Sequence, residues 1–528
     1  MTVVKTHIIH QRYRDSVQLM RASSAANKLE GIEIASVLMG TPKNKPLLEE
    51  VGLLTSEARE AGPSDIILSI KARTKAFADE AIQFIIEYMN QEKMDKEESL
   101  KTFRSIRGAI TGIPNANLAV ISVPGEYAAR ETRLALEQDL NVMLFSDNVS
   151  LEDEIALKKY AHKKGLIVMG PDCGTAMIKN IGLGFANVVT PGGIGIVAAS
   201  GTGTQEVMVL AHRMGAGITH AIGTGSRDVK DSIGGISMID GLNALNRDQN
   251  IELILIISKP PDEKTLQHVL DEVQKCHKPV IINFLGKNSG YCDLTGKILT
   301  VNTLEEAAYS ASHFMQSNKL KRVSVTFDDK DHVEQILHKT ESILTPEQKY
   351  IRGLFAGGTF AIEAAMIITK ILPASENLWT NVKLPNINII DNPYNSREHT
   401  LIDMGADEFT VGKPHPMIDQ TERTQRFLKE IHNHQTAVIL MDFVLGWGSH
   451  EDPVLDMSEA FAIWKSLDRK VPIVAHVCGT ELDPQDLDNS VSELLNTGVY
   501  VMPTNAQAAR LAALIATRVQ RVKGIIDE

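Results

Sequence analysis

Ser200-Gly201-Thr202-Gly203-Thr204 stands between an apolar run, Ile194 to Ala199, and a helical pattern that begins at Glu206. β-Branched and small residues alternate in the run, which predicts a buried strand. A strand, a glycine-rich turn and a helix start together make an anion site. Glycine lets the backbone approach, and the first N–H groups of a helix have no partner inside it. Ser200 or Thr202 can cap the helix and also touch the anion. The pattern recurs as a strand at Arg352 to Ala356, the turn Gly357-Gly358-Thr359 and a helix from Phe360. Two helix starts aimed at one phosphoryl or carboxylate group would hold it better than either alone. The competing reading is a pair of unrelated structural turns.

Four further side chains carry chemistry of the same kind. Arg227 and Lys259 each follow a predicted strand and could neutralise a bound phosphate or carboxylate; a surface charge and a salt bridge are the alternatives. Asp228 is expected to brace Arg227. Residues 411–419, Val-Gly-Lys-Pro-His-Pro-Met-Ile-Asp, are dense in polar groups and proline, a costly mixture to bury without purpose. Lys413 and His415 could contact substrate there, and His415 could act as a general base because histidine titrates near neutrality. A rigid surface loop is the alternative. Cys173 lies in the polar turn 170–175 with no histidine at fixed spacing, and a structural role is preferred. Glu363 is expected to pack or cap. The four cysteines, at 173, 276, 292 and 478, show neither CxxC spacing nor a disulfide framework, so no metal site is expected.

The elements that must position these groups alternate. Strand and helix patterns predict a small α/β domain ending near residue 72, a charged helical linker to about 110, and an α/β unit over 111–190. A second unit follows over 191–325, then a polar connector, then a third unit over 346–528. The first two are expected as domains 1–110 and 111–190. Short strands alternating with helices demand mainly parallel sheets with right-handed crossovers. Ligands in such sheets sit beyond the strand C-termini, where Pro124–Tyr127, Ser146–Asn148 and Gly170–Thr175 also fall. With 528 residues, 43% of them hydrophobic, the chain can bury several cores. Its net charge of -12 argues against a dedicated nucleic-acid partner. No apolar 20-mer suggests a membrane span, and the cysteine usage fits a reducing cytoplasm.

Gly170-Pro171-Asp172-Cys173, then Pro191 to Val197, then Ser200-Gly201-Thr202 resemble the alpha subunit of succinyl-CoA synthetase. Across the whole chain the strings GTPKNKPLLEEVGLLT, NVMLFSDNVSLEDEI, VMGPDCGT, GTGSRDV, GGTFAIEA and TVGKPHPMID resemble the FdrA family. The resemblance implies tandem Rossmann-like and flavodoxin-like domains, a CoA-binding-like unit at 111–190, and fused alpha-type and beta-type ligase modules. It also implies a subunit of an oxamate carbamoyltransferase, which converts oxalurate and phosphate to oxamate and carbamoyl phosphate in purine and allantoin catabolism. Companion subunits, and self-association, are implied with it. The synthetase family carries a phosphorylated histidine in a Gly-His-Ala-Gly turn; here residues 284–290 read Phe-Leu-Gly-Lys-Asn-Ser-Gly. The glycine loop for the CoA nucleotide is also not visible. Phosphate or carbamoyl phosphate is therefore the expected ligand, with CoA less favoured. An acyl-CoA ligase and a non-catalytic scaffold remain the alternative functions.

Overall fold

The computed structural model describes residues 2–12, 14, 16–42, 44–94, 102–286, 296–410 and 413–518. Two compact units compose it: residues 1–104 with 406–419, and residues 105–405 with 420–528.

In the first unit strand Ile66–Ala72 lies between Val3–Ile9 and Ile32–Met39 and runs antiparallel to both. Alternation of strand and helix predicted this unit but not its direction. Residues 40–65 turn the chain back so that the third strand enters between the first two. One face of the sheet packs on helices Ser16–Asn27 and Lys75–Met94 through Leu19, Ala22, Ala26, Ala81, Ile82 and Ile85. The stretch expected as a charged helical linker begins with helix Lys75–Met94, which packs into this core as far as Met89. Residues 95–101 of that stretch lie outside the described residues.

The second unit holds three sheets. Strands Leu118–Ile121, Asn141–Leu144 and Val168–Met169 form a small parallel sheet in that order. The next sheet has seven strands. Ile298–Val301, Val280–Phe284, Leu253–Ser258, Ile194–Ala199 and Ile218–Gly223 are parallel, and a hairpin, Thr175–Ile178 with Ile181–Gly184, closes one edge. Gly182 and Gly184 mask the strand pattern of this hairpin in the sequence. Its turn residues Lys179 and Asn180 both take positive φ, 52° and 62°, the twist a two-residue hairpin needs. The third sheet has seven parallel strands, in the order Asn388–Ile389, Leu378–Thr380, His399–Asp403, Tyr350–Phe355, Thr436–Val444, Ile473–Cys478 and Tyr500–Met502. The expected polar connector contains a helix, Lys330–Ile343, which buries Val333, Ile336 and Leu337. Among the described residues no helix is long and apolar enough to cross a membrane.

In both large sheets the first strand of the parallel run sits centrally. Ile194–Ala199 has Ile218–Gly223 on one side and Leu253–Ser258 on the other. Tyr350–Phe355 has His399–Asp403 and Thr436–Val444. The chain reverses its direction of travel at these strands, so a crevice opens beyond each of their C-termini. The turns at Ser200 and Gly357 occupy those positions.

A buried charge cluster keys the small sheet to its neighbour. Lys158, on helix Leu151–Lys164, is 2.8 Å from both Glu154 and Asp228 and donates to the Thr224 carbonyl at 2.9 Å. Asp228 also accepts from the Ser237 and Met238 N–H groups, which open helix Ile236–Arg247. Replacing Lys158 by Ala leaves buried Asp228 without its cation and Glu154 with Arg227 alone, and the expected loss of unfolding free energy is about 3–5 kcal/mol, measured by chemical denaturation.

Candidate functional site

Helix Gly201–Arg213 starts at Ser200, whose hydroxyl accepts from the Gly203 N–H at 3.1 Å while its carbonyl takes Thr204 N–H. The Gly201 and Thr202 N–H groups are left as the orphan donors of the turn among the described residues. Gly201 is exposed and Thr202 half-buried, so this helix start faces solvent. No acidic residue lies in its first turn. Lys259 follows Ser258, which pairs with Ala199, so Lys259 stands at the same strand edge as Ser200.

Helix Gly358–Ile371 starts against it. Ser200 Oγ and Thr359 Oγ1 are 2.7 Å apart. A Cβ at Gly357 would fall 2.9 Å from Thr202 Cγ2, so the two turns touch through their smallest residues. Their electrostatics differ. The Asp442 carboxylate, near the C-terminal end of strand Thr436–Val444, accepts from the Ala356 and Gly357 N–H groups at 2.7 and 2.8 Å. Arg423 pairs with Asp442 at 3.0 Å, and both are fully buried. Burial pushes Asp442 above its usual range, against the pull of Arg423 and the two N–H groups. A second carboxylate, Asp403, ends the neighbouring strand and lies where a Gly358 side chain would begin. Asn381 holds the Asp403 backbone on both sides, and Gly405 N–H donates to its Oδ1 at 2.9 Å. The Gly357 turn therefore already carries two carboxylates of its own, and the pair is an unequal one: an open positive helix end at Ser200 beside a compensated one.

The remaining candidates are placed as follows. Arg227 is 2.8 Å from buried Glu154 and donates to the Val149 carbonyl, so it braces helix Leu151–Lys164. Asp228 has Lys158 as its partner rather than Arg227. Lys413 and His415 belong to the first unit, whereas both turns belong to the second. His415 Nδ1 accepts from the Met417 N–H at 3.1 Å, which occupies the lone pair a general base would use and leaves Nε2 as the protonated nitrogen of the neutral ring. Val411 and Gly412 lie outside the described residues, as do Lys287 to Gly290 of the stretch that replaces the histidine turn. Cys173 is buried, donates to the Thr175 carbonyl, and has its thiol pushed up to about 12 by desolvation and then by Asp172. At the edge of the small sheet, a Cβ on Gly125 would run into the Asp147 and Asn148 carbonyls, and Glu126 stands in the first turn of that helix.

The sequence analysis missed Asp442, Arg423 and Asp403. Asp442 had a signal: a lone carboxylate inside Ala437 to Phe443 must find donors. Glu363, expected to pack or cap, is buried in a polar layer behind the turns and caps helix Leu304–Ser317. Glu363, on the second helix, accepts from the Leu304 N–H at 2.7 Å and from Asn505 Nδ2 at 2.8 Å.

Comparison with known proteins follows this division. Residues 354–515 match the CoA-ligase family, and residues 1–103 match a family described as AllF, heavy metal-associated domain. YahF of Escherichia coli K12, itself uncharacterized, is 42% identical over 521 residues, covering 96% of this chain and 98% of its own. The chain belongs to the FdrA-like family. An ADP-forming succinate–CoA ligase alpha subunit of Staphylococcus epidermidis is 29% identical over 178 residues, 32% of the FdrA-like chain and 56% of the ligase subunit. A dinucleotide-forming acetyl-coenzyme A synthetase 1 of Ca. Korarchaeum cryptofilum, solved with phosphate and ADP, shares 17% identity at a TM-score of 0.31, over 80% of the FdrA-like chain and 86% of its own. The heavy-metal description does not fit the first unit. Residues 1–103 contain no cysteine, and no cluster of three or more His, Asp or Glu side chains close enough for a metal occurs among their described residues.

Two outcomes are expected of variants. A methyl group at Gly201 meets only Thr175 Oγ1, at 3.4 Å, so Gly201→Ala should leave the melting temperature nearly unchanged, whereas Gly358→Ala displaces Asp403 and should cost about 1–3 kcal/mol. Burial, with the Glu206 charge adding to it, raises Glu363 from its ordinary 4.5 to about 8. The folded chain then keeps a proton that the unfolded chain has released, so stability is full below 4.5 and falls as pH rises towards 8. Denaturation midpoints of Glu363→Gln should lose that slope.

Proposed function

We propose that this chain is a ligase-type enzyme subunit that holds a phosphoryl group at the Ser200 turn and passes a small carboxylic acid through an acyl phosphate. The observation that carries the reading is the contact of two helix starts at Ser200 and Thr359, each at the reversal point of a parallel sheet. The CoA-ligase match at 354–515 and the similarity to succinate–CoA ligase alpha subunits support the same class. Phosphate oxygens would accept from the Gly201 and Thr202 N–H groups, from the Thr202 hydroxyl and from whichever of the Ser200 and Thr359 hydroxyls does not donate to the other. Lys259 would balance their charge. The carboxylates at the second turn keep the phosphate on the first helix and face the uncharged carbonyl of the acyl phosphate. CoA would be the acyl acceptor, brought to the site on this chain or on a companion subunit.

Direct phosphorolysis of a carbamoyl compound is the second reading, with oxalurate and phosphate giving oxamate and carbamoyl phosphate. One specific observation favours it: residues 284–290 carry no histidine to serve as a phosphoryl carrier. Phosphate would then attack the carbonyl without a covalent intermediate on the protein.

The chain, purified with whatever subunits accompany it, should bind inorganic phosphate by calorimetry. Gly201→Asp should weaken that binding at least about tenfold while Gly201→Ala does not. Turnover with CoA, ATP and a panel of acids identifies the ligase; turnover with carbamoyl phosphate and oxamate identifies the transferase. Phosphate binding that is unchanged in Gly201→Asp removes both.

A further inference from the structure

Glu206, His476 and Cys478 converge in the core between the two large sheets, each offering one ligand atom, all within 4.8 Å of one another. Their exposures are 1%, 0% and 0%. Glu206 lies in the second turn of helix Gly201–Arg213. His476 and Cys478 are two apart on strand Ile473–Cys478, so the period of a strand puts both on one face. None of the three is used by the phosphate reading, and the inference stands apart from it.

The imidazole is oriented from several sides. His476 Nδ1 is 3.2 Å from the Met502 carbonyl oxygen, which can only accept, so Nδ1 carries a hydrogen. Nε2 faces Glu206 Oε2 at 2.7 Å. The Phe360 ring packs edge-on against the imidazole at 5.9 Å. The other Glu206 oxygen accepts from the Asn505 N–H at 3.2 Å. An N–H to a backbone carbonyl on one nitrogen, with the other nitrogen aimed at a carboxylate and a thiol, is how outer partners orient a metal-binding histidine.

We propose that Glu206, His476 and Cys478 form a site for a divalent cation of borderline softness, zinc being the best match to one nitrogen, one oxygen and one sulfur donor. Two protonation states keep this core electrically neutral. In one, the thiol keeps its proton and a second proton lies between Nε2 and the Glu206 carboxylate. In the other, those two protons leave and one dication takes their place between a carboxylate, a thiolate and a neutral imidazole. The exchange is two protons for one M²⁺, so no unpaired charge is buried, and it replaces a desolvated pair by three metal–ligand bonds. Burial closes the site to substrate. The metal is a clip that fastens the helix starting at Ser200 to strand Ile473–Cys478, next to the edge of the third sheet, and it enters as the chain folds.

The test uses the full chain grown with zinc, desalted and measured by elemental mass spectrometry, and the same chain refolded with Co²⁺ and read by absorption. About one equivalent of zinc is expected, and the cobalt form should show a thiolate-to-cobalt band in the near ultraviolet. Cys478→Ser, checked for folding by circular dichroism, should lose that band and retain at least about tenfold less metal. Should that variant fail to fold, X-ray absorption of wild-type cobalt protein decides. One sulfur with nitrogen and oxygen neighbours supports the site; no sulfur or several sulfurs overturns it. A wild-type chain without stoichiometric metal both as purified and after refolding, or a folded Cys478→Ser variant with unchanged metal and spectrum, also overturns it.

Discussion

A helix that begins inside a protein must find partners for its first N–H groups, and the two halves of the large unit meet this requirement in different ways. At Ser200 one hydroxyl caps the Gly203 N–H, and the outermost donors face solvent. At Gly357 a buried carboxylate, Asp442, reaches across from the next strand and takes two N–H groups, with Arg423 neutralising it. The helices then abut through Ser200 and Thr359. Two equivalent positive ends would repel across such a contact; one compensated end and one open end do not.

Buried charges do the joining elsewhere in this unit as well. Lys158 with Glu154 and Asp228, Arg352 with Glu430, and Glu206 with His476 are all removed from water, and most of these pairs link segments far apart in sequence. Desolvation makes each pair a weak source of net stability, while loss of one partner leaves an unpaired charge. Such pairs penalise wrong docking of one helix on another strongly. A chain built from three sheets of similar apolar composition has particular use for that discrimination.

The proposed chemistry inherits the asymmetry. With no histidine at 284–290, a phosphoryl group has no imidazole carrier in that turn. It would stay on the open helix end, held by backbone donors and hydroxyls, and a carbonyl substrate would approach from the side where Asp403 and Asp442 exclude further anions. Arg227, named from its place after a strand, is committed to Glu154. Lys259, named on the same ground, does stand at the edge shared with Ser200.

What the sequence determined by itself was local. Apolar runs of strand length, glycines after them and amphipathic helices are written in neighbouring residues, and they located both turns, the mainly parallel sheets and the alternating order. Tertiary structure decided the rest, because it depends on residues the chain brings from afar. The direction of the Ile66–Ala72 strand follows from how residues 40–65 return. The charge state of the Gly357 turn follows from Asp442, more than eighty positions later, and the convergence of Glu206 with His476 and Cys478 spans the junction of two sheets. A carboxylate in an apolar strand announces that it needs donors; only packing says which donors it finds.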